Sequence, residues 1–210
     1  MGRGSWTQFP KLMGGFAVFA LGISLMINAD LGLDPWSAFH MGLSLALPLS
    51  YGMASAGAGL ILLGIGAGFF SQKLDWGTVL NMLLIGFMVD VIRPLLPPLA
   101  EAAPAFRWLV FLSGIGLAGL ATGMYISSGW GAGPRDGFVL AVSARTGFSV
   151  RVIRTAIELS VLGAGALLGA RVGWGTLAFA LLIGPAMQAS LRLFRHLPGD
   201  GIPAGDGNPA

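Results

Sequence analysis

The chain contains no cysteine and only two histidines, His40 and His196. Without thiols there is no thiolate nucleophile, no thiolate-bound zinc and no Cys-held iron–sulfur cluster. Two histidines work against a multi-histidine metal site. Charge is scarce as well: 10% of the 210 residues are Asp, Glu, Lys or Arg, where a soluble domain carries about 25%. No Gly-x-x-x-x-Gly-Lys-Ser/Thr run is present, so no phosphate-cradling nucleotide loop is expected. No Ser/His/Asp group or cofactor motif assembles at a plausible spacing, and a catalytic role is not expected.

Apolar surface is plentiful. Apolar residues make up 55% of the chain, 34 residues are Gly, and mean hydropathy is +0.79. A single soluble core of this size leaves too much surface in water to hide that content. A soluble globular domain, a disordered chain and a disulfide scaffold are therefore excluded, and an all-α polytopic membrane protein is expected. The net charge of +3 comes from ten Arg and two Lys against nine acids. Lying between apolar spans, these bases read as positive-inside bias, not as a nucleic-acid surface.

A hydrocarbon core about 30 Å thick needs roughly 20 apolar residues per crossing helix. Six stretches fit: 11–29, 51–71, 76–96, 107–127, 151–170 and 174–194. Arg3 and Lys11 precede the first, yet no small-x-small cleavage site follows it, so it reads as a retained helix. Residues 1–10 are expected to be a cytoplasmic segment. Residues 197–210, rich in Gly, Pro and Asp, are expected to be a disordered tail. Two segments of about a dozen residues, Trp36–Leu47 and Arg135–Thr146, are too short to cross alone and fit re-entrant or interfacial helices. Each follows a Gly- and Pro-containing turn, Leu31-Gly32-Leu33-Asp34-Pro35 and Trp130-Gly131-Ala132-Gly133-Pro134. Pro in the first helical turn costs no backbone hydrogen bond.

The chain repeats itself. An offset of 99 residues lays Gly32 on Gly131, Pro35 on Pro134, Phe39 on Phe138 and Ser50 on Ser149; an offset of 98 then lays Trp76-Gly77-Thr78 on Trp174-Gly175-Thr176. Two homologous repeats follow, 11–99 and 107–196, each with three long helices and one short one. If the short helices do not cross, six crossings and inverted repeats result; if both cross, eight crossings and parallel repeats result. The positive-inside rule divides the basic residues nine to three in either case, and puts both termini in the cytoplasm. Segment length favours six.

The run Ile27-Asn28-Ala29-Asp30-Leu31-Gly32-Leu33-Asp34-Pro35-Trp36, with Ser127-Ser128-Gly129-Trp130-Gly131-Ala132-Gly133-Pro134-Arg135-Asp136-Gly137, resembles the YczE/YitT-type bacterial integral membrane proteins. The paired turns and the Pro-Arg-Asp-Gly run carry the resemblance, which extends from about residue 10 to 196. It implies a bacterial cytoplasmic-membrane protein, often described as a transporter, with no settled substrate. Asp34 departs from the expected Gly of the first turn.

The two turns are the leading candidate site, with Gly32, Asp34 and Trp36 in the first and Gly131, Gly133, Arg135 and Asp136 in the second. A short helix beginning inside the membrane aims unpaired N–H groups and partial positive charge ahead of it, and broken transporter helices use this to hold anionic groups. The alternative is that the turns only shape the backbone, with Asp30 and Asp34 as caps. Glu158 lies within the fifth stretch, four residues after Arg154 on the same helix face. It is either a proton-coupling group or half of a self-satisfied pair near the headgroups. Asn81 reads as a ligand contact or an interhelical hydrogen bond, and His40 as a titrating residue or a structural one. Asp90 and Arg93, three apart, are expected to pair. Gly64-x-x-x-Gly68, Gly119-x-x-x-Gly123 and Gly165-x-x-x-Gly169 read as helix packing seams, with homo-oligomerisation as the lesser alternative. The expected partners are the lipid bilayer and a small solute, with no cofactor, metal or nucleic acid. The expected function is a small secondary transporter or exporter of an anionic or zwitterionic organic solute. A non-transporting membrane scaffold or regulator is the alternative.

Overall fold

The computed structural model describes residues 5–70, 76–130 and 133–195. The segments 1–10 and 197–210 therefore lie partly or wholly outside the described residues. Among those described there are eight α-helices and no strand: α1 (Phe9–Ala29), α2 (Pro35–Ala46), α3 (Tyr51–Phe70), α4 (Trp76–Ile92), α5 (Pro104–Ser127), α6 (Pro134–Thr146), α7 (Val150–Leu167) and α8 (Trp174–Arg195). All eight expected segments are helical, with ends shifted by a few residues. α2 and α6 begin with Pro in the first turn, which supplies a helical φ without losing a bond. Asp34 caps α2, its carboxylate accepting from the Ser37 N–H at 2.9 Å.

Five helices are long and apolar enough to cross a membrane: those within 6–29, 51–70, 76–95, 104–127 and 174–194. The sixth expected stretch, α7, has 18 residues and carries Arg151, Arg154 and Glu158, so it does not join them on length and composition. Large apolar side chains face outward along the others, among them Leu60 and Ile61 on α3, Phe87 on α4, Leu109 on α5 and Leu181 on α8. In water such a belt is a liability, and against lipid it is the ordinary exterior. Trp6, Trp76 and Trp174 are exposed near helix starts, as interfacial anchors are.

The packing follows the repeat. α1 and α5 form the central pair and run antiparallel: Gly22 meets Gly114, while Gly15 near the start of α1 meets Tyr125 near the end of α5. A Cβ on Gly22 or Gly114 would lie 2.7 Å from the other's carbonyl oxygen, so only Gly permits this approach. α4 packs on α1 as α8 packs on α5, and α2 packs on α7 as α6 packs on α3. Each relation becomes the other under the repeat offset. The backbone obeys the same rule. Gly175 N–H donates to Leu31 O at 2.8 Å, and Gly77 N–H donates to Trp130 O at 3.1 Å. Leu31 and Trp130 are 99 residues apart, Gly77 and Gly175 98.

The two ends of the bundle are closed differently. At one end Asp30, in the left-handed conformation (φ 55°), ion-pairs with Arg171 and with Arg107, the latter at 3.7 Å. Arg107 also donates to Ala29 O at 2.9 Å. Asn28 bridges to Leu96 O and accepts from Arg93 Nε at 3.4 Å. The expected Asp90–Arg93 pair does not form, because Asp90 accepts from Ser50 Oγ at 2.5 Å and Gly52 N–H at 3.0 Å instead. These bonds gather the ends of α1 and α4 with the starts of α3 and α5. At the opposite end the closure is aromatic: Trp130 stands edge-on to Trp6 (5.4 Å) and Phe9 (5.7 Å), and its Nε1–H donates to Ser5 O.

The glycine seams divide. Gly119 and Gly123 pack against Ala186 and Ser190 of α8, and Gly165 against Ala38 of α2. A Cβ on Gly64 or Gly68 would meet nothing within 4 Å, so this motif serves no contact among the described residues. It lies on the outer face of α3, beyond its packing against α4 and α6.

Candidate functional site

The site begins with a backbone requirement. Gly32 has φ +120°, and a Cβ there would lie 2.7 Å from Gly173 N and from Thr176 Oγ1. An L side chain is excluded both by conformation and by space. Thr176 Oγ1 accepts the Leu33 N–H at 3.1 Å, so the start of α8 holds the first turn in place. The second turn is held by Gly77 at the start of α4, as described above. Gly131 lies outside the described residues. Gly133 is buried, with the Asn81 carboxamide beside it.

With both turns held, the first residues of α2 and α6 meet. The Arg135 guanidinium lies over the Trp36 ring, 4.6 Å from its centroid, close enough for a cation–π contact. Its charge also acts on Asp34, His40 and Tyr51. Asp34, Ser37, His40 and Tyr51 are all buried. Ser37 Oγ and Tyr51 OH share a hydrogen bond at 3.0 Å. The His40 ring is edge-on to Tyr51 (5.6 Å) and tilted against Trp36 and Phe39 (6.2 Å each). His40 is only 2% exposed, yet its Nδ1 has no hydrogen-bond partner among the described residues. Nearly all buried polar atoms are paired, and leaving one unpaired costs about 1–3 kcal/mol. Among the described residues His40 Nδ1 is the buried side-chain polar atom left without a partner.

The sequence candidates separate accordingly. Asp34, Trp36, His40 and Arg135 come together, and Gly32 and Gly133 shape the turns that carry them. Asn81 reaches the second turn from α4. The Asp136 side chain lies outside the described residues. Glu158 does not join the group. It accepts from Arg154 Nε at 3.0 Å, and both side chains are well exposed, the arrangement of a self-satisfied i,i+4 pair.

Ser37, Tyr51 and Thr176 were not among the candidates. Thr176 had a signal, as a member of the Trp-Gly-Thr triplet that recurs in both halves. Tyr51 had a weaker one, being one of two tyrosines and opening a helix. Its contact with His40 depends on the fold of residues 47–50, which periodicity does not reveal.

The cluster contains no group of three or more His, Asp or Glu able to hold a metal among the described residues. Its described groups are one guanidinium, one carboxylate, two hydroxyls, an unpaired imidazole nitrogen and aromatic walls.

Comparison with known proteins agrees with this outline at the level of family. Residues 7–192 match a family of unknown function, DUF6198. The chain is 35% identical over 187 residues to the uncharacterized membrane protein YczE of Bacillus subtilis (strain 168), covering 89% of this chain and 85% of that one. It is 30% identical over 197 residues to an uncharacterized protein of Haemophilus influenzae (strain ATCC 51907 / DSM 11121 / KW20 / Rd), covering 92% and 89%. No solved structure matches. With its apolar helices and outward-facing aliphatic belt, the chain is a multi-pass membrane protein, and it belongs to the YczE-like DUF6198 family.

Proposed function

We propose that the protein is a small secondary transporter that carries an anionic or zwitterionic organic solute between its two halves. The observation that carries this reading is the contact of Arg135 with Trp36. These residues occupy equivalent positions, 99 residues apart, so their meeting point lies close to the axis relating the halves. A site on such an axis can be reached from either side by rocking one half against the other.

In this reading the halves are inverted repeats with six crossings. The antiparallel run of α1 and α5, which are repeat equivalents, supports inversion. The ends of α1 and α4 lie beside Ser50 and Gly52, where α3 starts, and Leu45 near the end of α2 lies near Gly169. The segment 30–50 thus leaves from and returns to one end, which supports a re-entrant α2. α7 is the sixth crossing, its three charged residues grouped in its first half, where long side chains reach the headgroups. An open cleft at the ionic end, lined by Ile27, Leu33, Met41, Arg93 and Arg171, is the entrance from that side.

The protein resides in a bacterial inner membrane with both termini in the cytoplasm, as nine of the twelve basic residues are then cytoplasmic. It carries out no covalent chemistry on its cargo. The test is uptake and counterflow in liposomes containing the purified protein, wild type beside Arg135→Ala. Solute movement by the wild type and its loss in the variant are expected. If nothing moves under any imposed ion or solute gradient, a scaffold or regulator of a partner protein replaces the transporter reading.

A further inference from the structure

Charge balance in the cluster narrows the cargo. The described charged side chains at the meeting of α2 and α6 are one carboxylate, Asp34, and one guanidinium, Arg135, supplied by opposite halves. Asp34 is buried with Trp36, Ser37 and His40 around it, while Arg135 is half-buried. A ligand of net charge leaves one of the two charges uncompensated, which is costly at buried Asp34, whereas a ligand with both signs pairs each pole. The carboxylate has spare acceptor capacity, since its N-cap role engages a single N–H, that of Ser37. Arg135 rests on the Trp36 face, and its five donors remain suited to a planar carboxylate.

The second observation is independent of charge. His40 Nδ1 is fully buried without a partner among the described residues, on the same helix as Asp34 and one turn beyond Trp36. A ligand seated at the start of α2 supplies that partner. The rings of Trp36, Phe39 and Tyr51 around His40 provide cover for a short carbon skeleton.

We infer that the cargo is a small zwitterion of the amino-acid type, its carboxylate on Arg135, its ammonium on Asp34, and a polar atom on His40 Nδ1. The inference rests on the transporter reading for the word cargo, but the site stands or falls on binding alone.

The experiment is thermal stabilisation and equilibrium binding on the purified full-length protein. The probes are a panel of α-amino acids with β-alanine and taurine, each against the acid and the amine made by deleting one charge, such as propionate and ethylammonium for alanine. At least one zwitterion is expected to bind about tenfold or more tighter than either single-charge counterpart, the size of one well-placed polar contact. Asp34→Asn keeps the cap and is expected to erase the preference, so that acid and zwitterion bind alike. Arg135→Gln is expected to abolish binding of both. His40→Asn, which keeps a polar atom near Nδ1, is expected to bind within about threefold of wild type, and His40→Leu about tenfold or more weaker.

Binding of a singly charged counterpart as tight as its zwitterion in the wild type, or no zwitterion bound at all, overturns the inference whether or not the variants fold. A zwitterion that binds but never crosses the vesicle membrane overturns transport and leaves the site. Carriage of a singly charged solute with no zwitterion bound does the reverse.

Discussion

Trp36 and Arg135, 99 residues apart and so equivalent under the sequence offset, touch each other, 4.6 Å from ring centroid to guanidinium. In the proposed repeat architecture such a contact lies on the axis between the halves. An aromatic face and a cation meet there, which no pair of identical residues would provide.

The first prediction concerns that pair. Trp36→Phe keeps a weaker ring face, and Trp36→Leu removes it. Desolvated cation–π contacts are worth about 2 kcal/mol with Trp and less with Phe. Thermal stability should fall in the order Trp, Phe, Leu, and an Arg135→Ala background should abolish the difference. Unchanged differences in that background would sink the contact.

At the ionic end, Arg107 and Arg171 both reach Asp30, but they should not weigh the same. Arg171 is 61% exposed and Arg107 18%, and Arg107 also binds the last carbonyls of α1. Arg171→Ala should cost about 0–1 kcal/mol, as exposed pairs do. Arg107→Ala should cost about 1–3 kcal/mol, since it strips partly buried acceptors. High salt should narrow the loss for Arg171 more than for Arg107. Chemical denaturation in detergent measures both.

Glycine substitutions should sort by what a Cβ would meet. At Gly175 it would lie 2.8 Å from Leu31 O, and at Gly77 2.3 Å from Trp130 O. Backbone cannot step aside as a flexible side chain can, so Gly77→Ala and Gly175→Ala should each destabilise strongly, by about 1–3 kcal/mol or more. Gly64→Ala and Gly68→Ala meet nothing and should stabilise α3 by up to about 1 kcal/mol. If the last two also disrupt the purified protein, the outer face of α3 packs on a second copy.

A topology experiment addresses the short helices. The chain has no native cysteine, so Leu49→Cys supplies a unique label. With α2 re-entrant, it should react with an impermeant maleimide from outside the cell. With α2 crossing, it should react only from the cytoplasm.

Much of this was legible in the sequence, for physical reasons. Helix lengths follow from bilayer thickness, and the starts of α2 and α6 follow from Pro and Gly chemistry at their turns. The offset pairs Gly77 with Gly175 from the sequence alone. What the sequence does not encode locally is which half a residue faces. Hydropathy along α2 cannot tell that it packs on α7 of the other half, so Tyr51 standing edge-on to His40 and Thr176 accepting from Leu33 emerge only from the assembled bundle. Glu158 is the reverse case. The sequence allows a proton-coupling group or a pair with Arg154 one turn away, and the geometry has the pair.

The exchanged backbone bonds, Gly175 to Leu31 and Gly77 to Trp130, mean that each half is completed by the other. Cut at the loop between the halves, either fragment would carry a turn carbonyl with no donor and a helix start with no acceptor. Each half thus supplies one donor and one acceptor to the other. The covalent join between residues 99 and 107 keeps both partners of each bond in one chain.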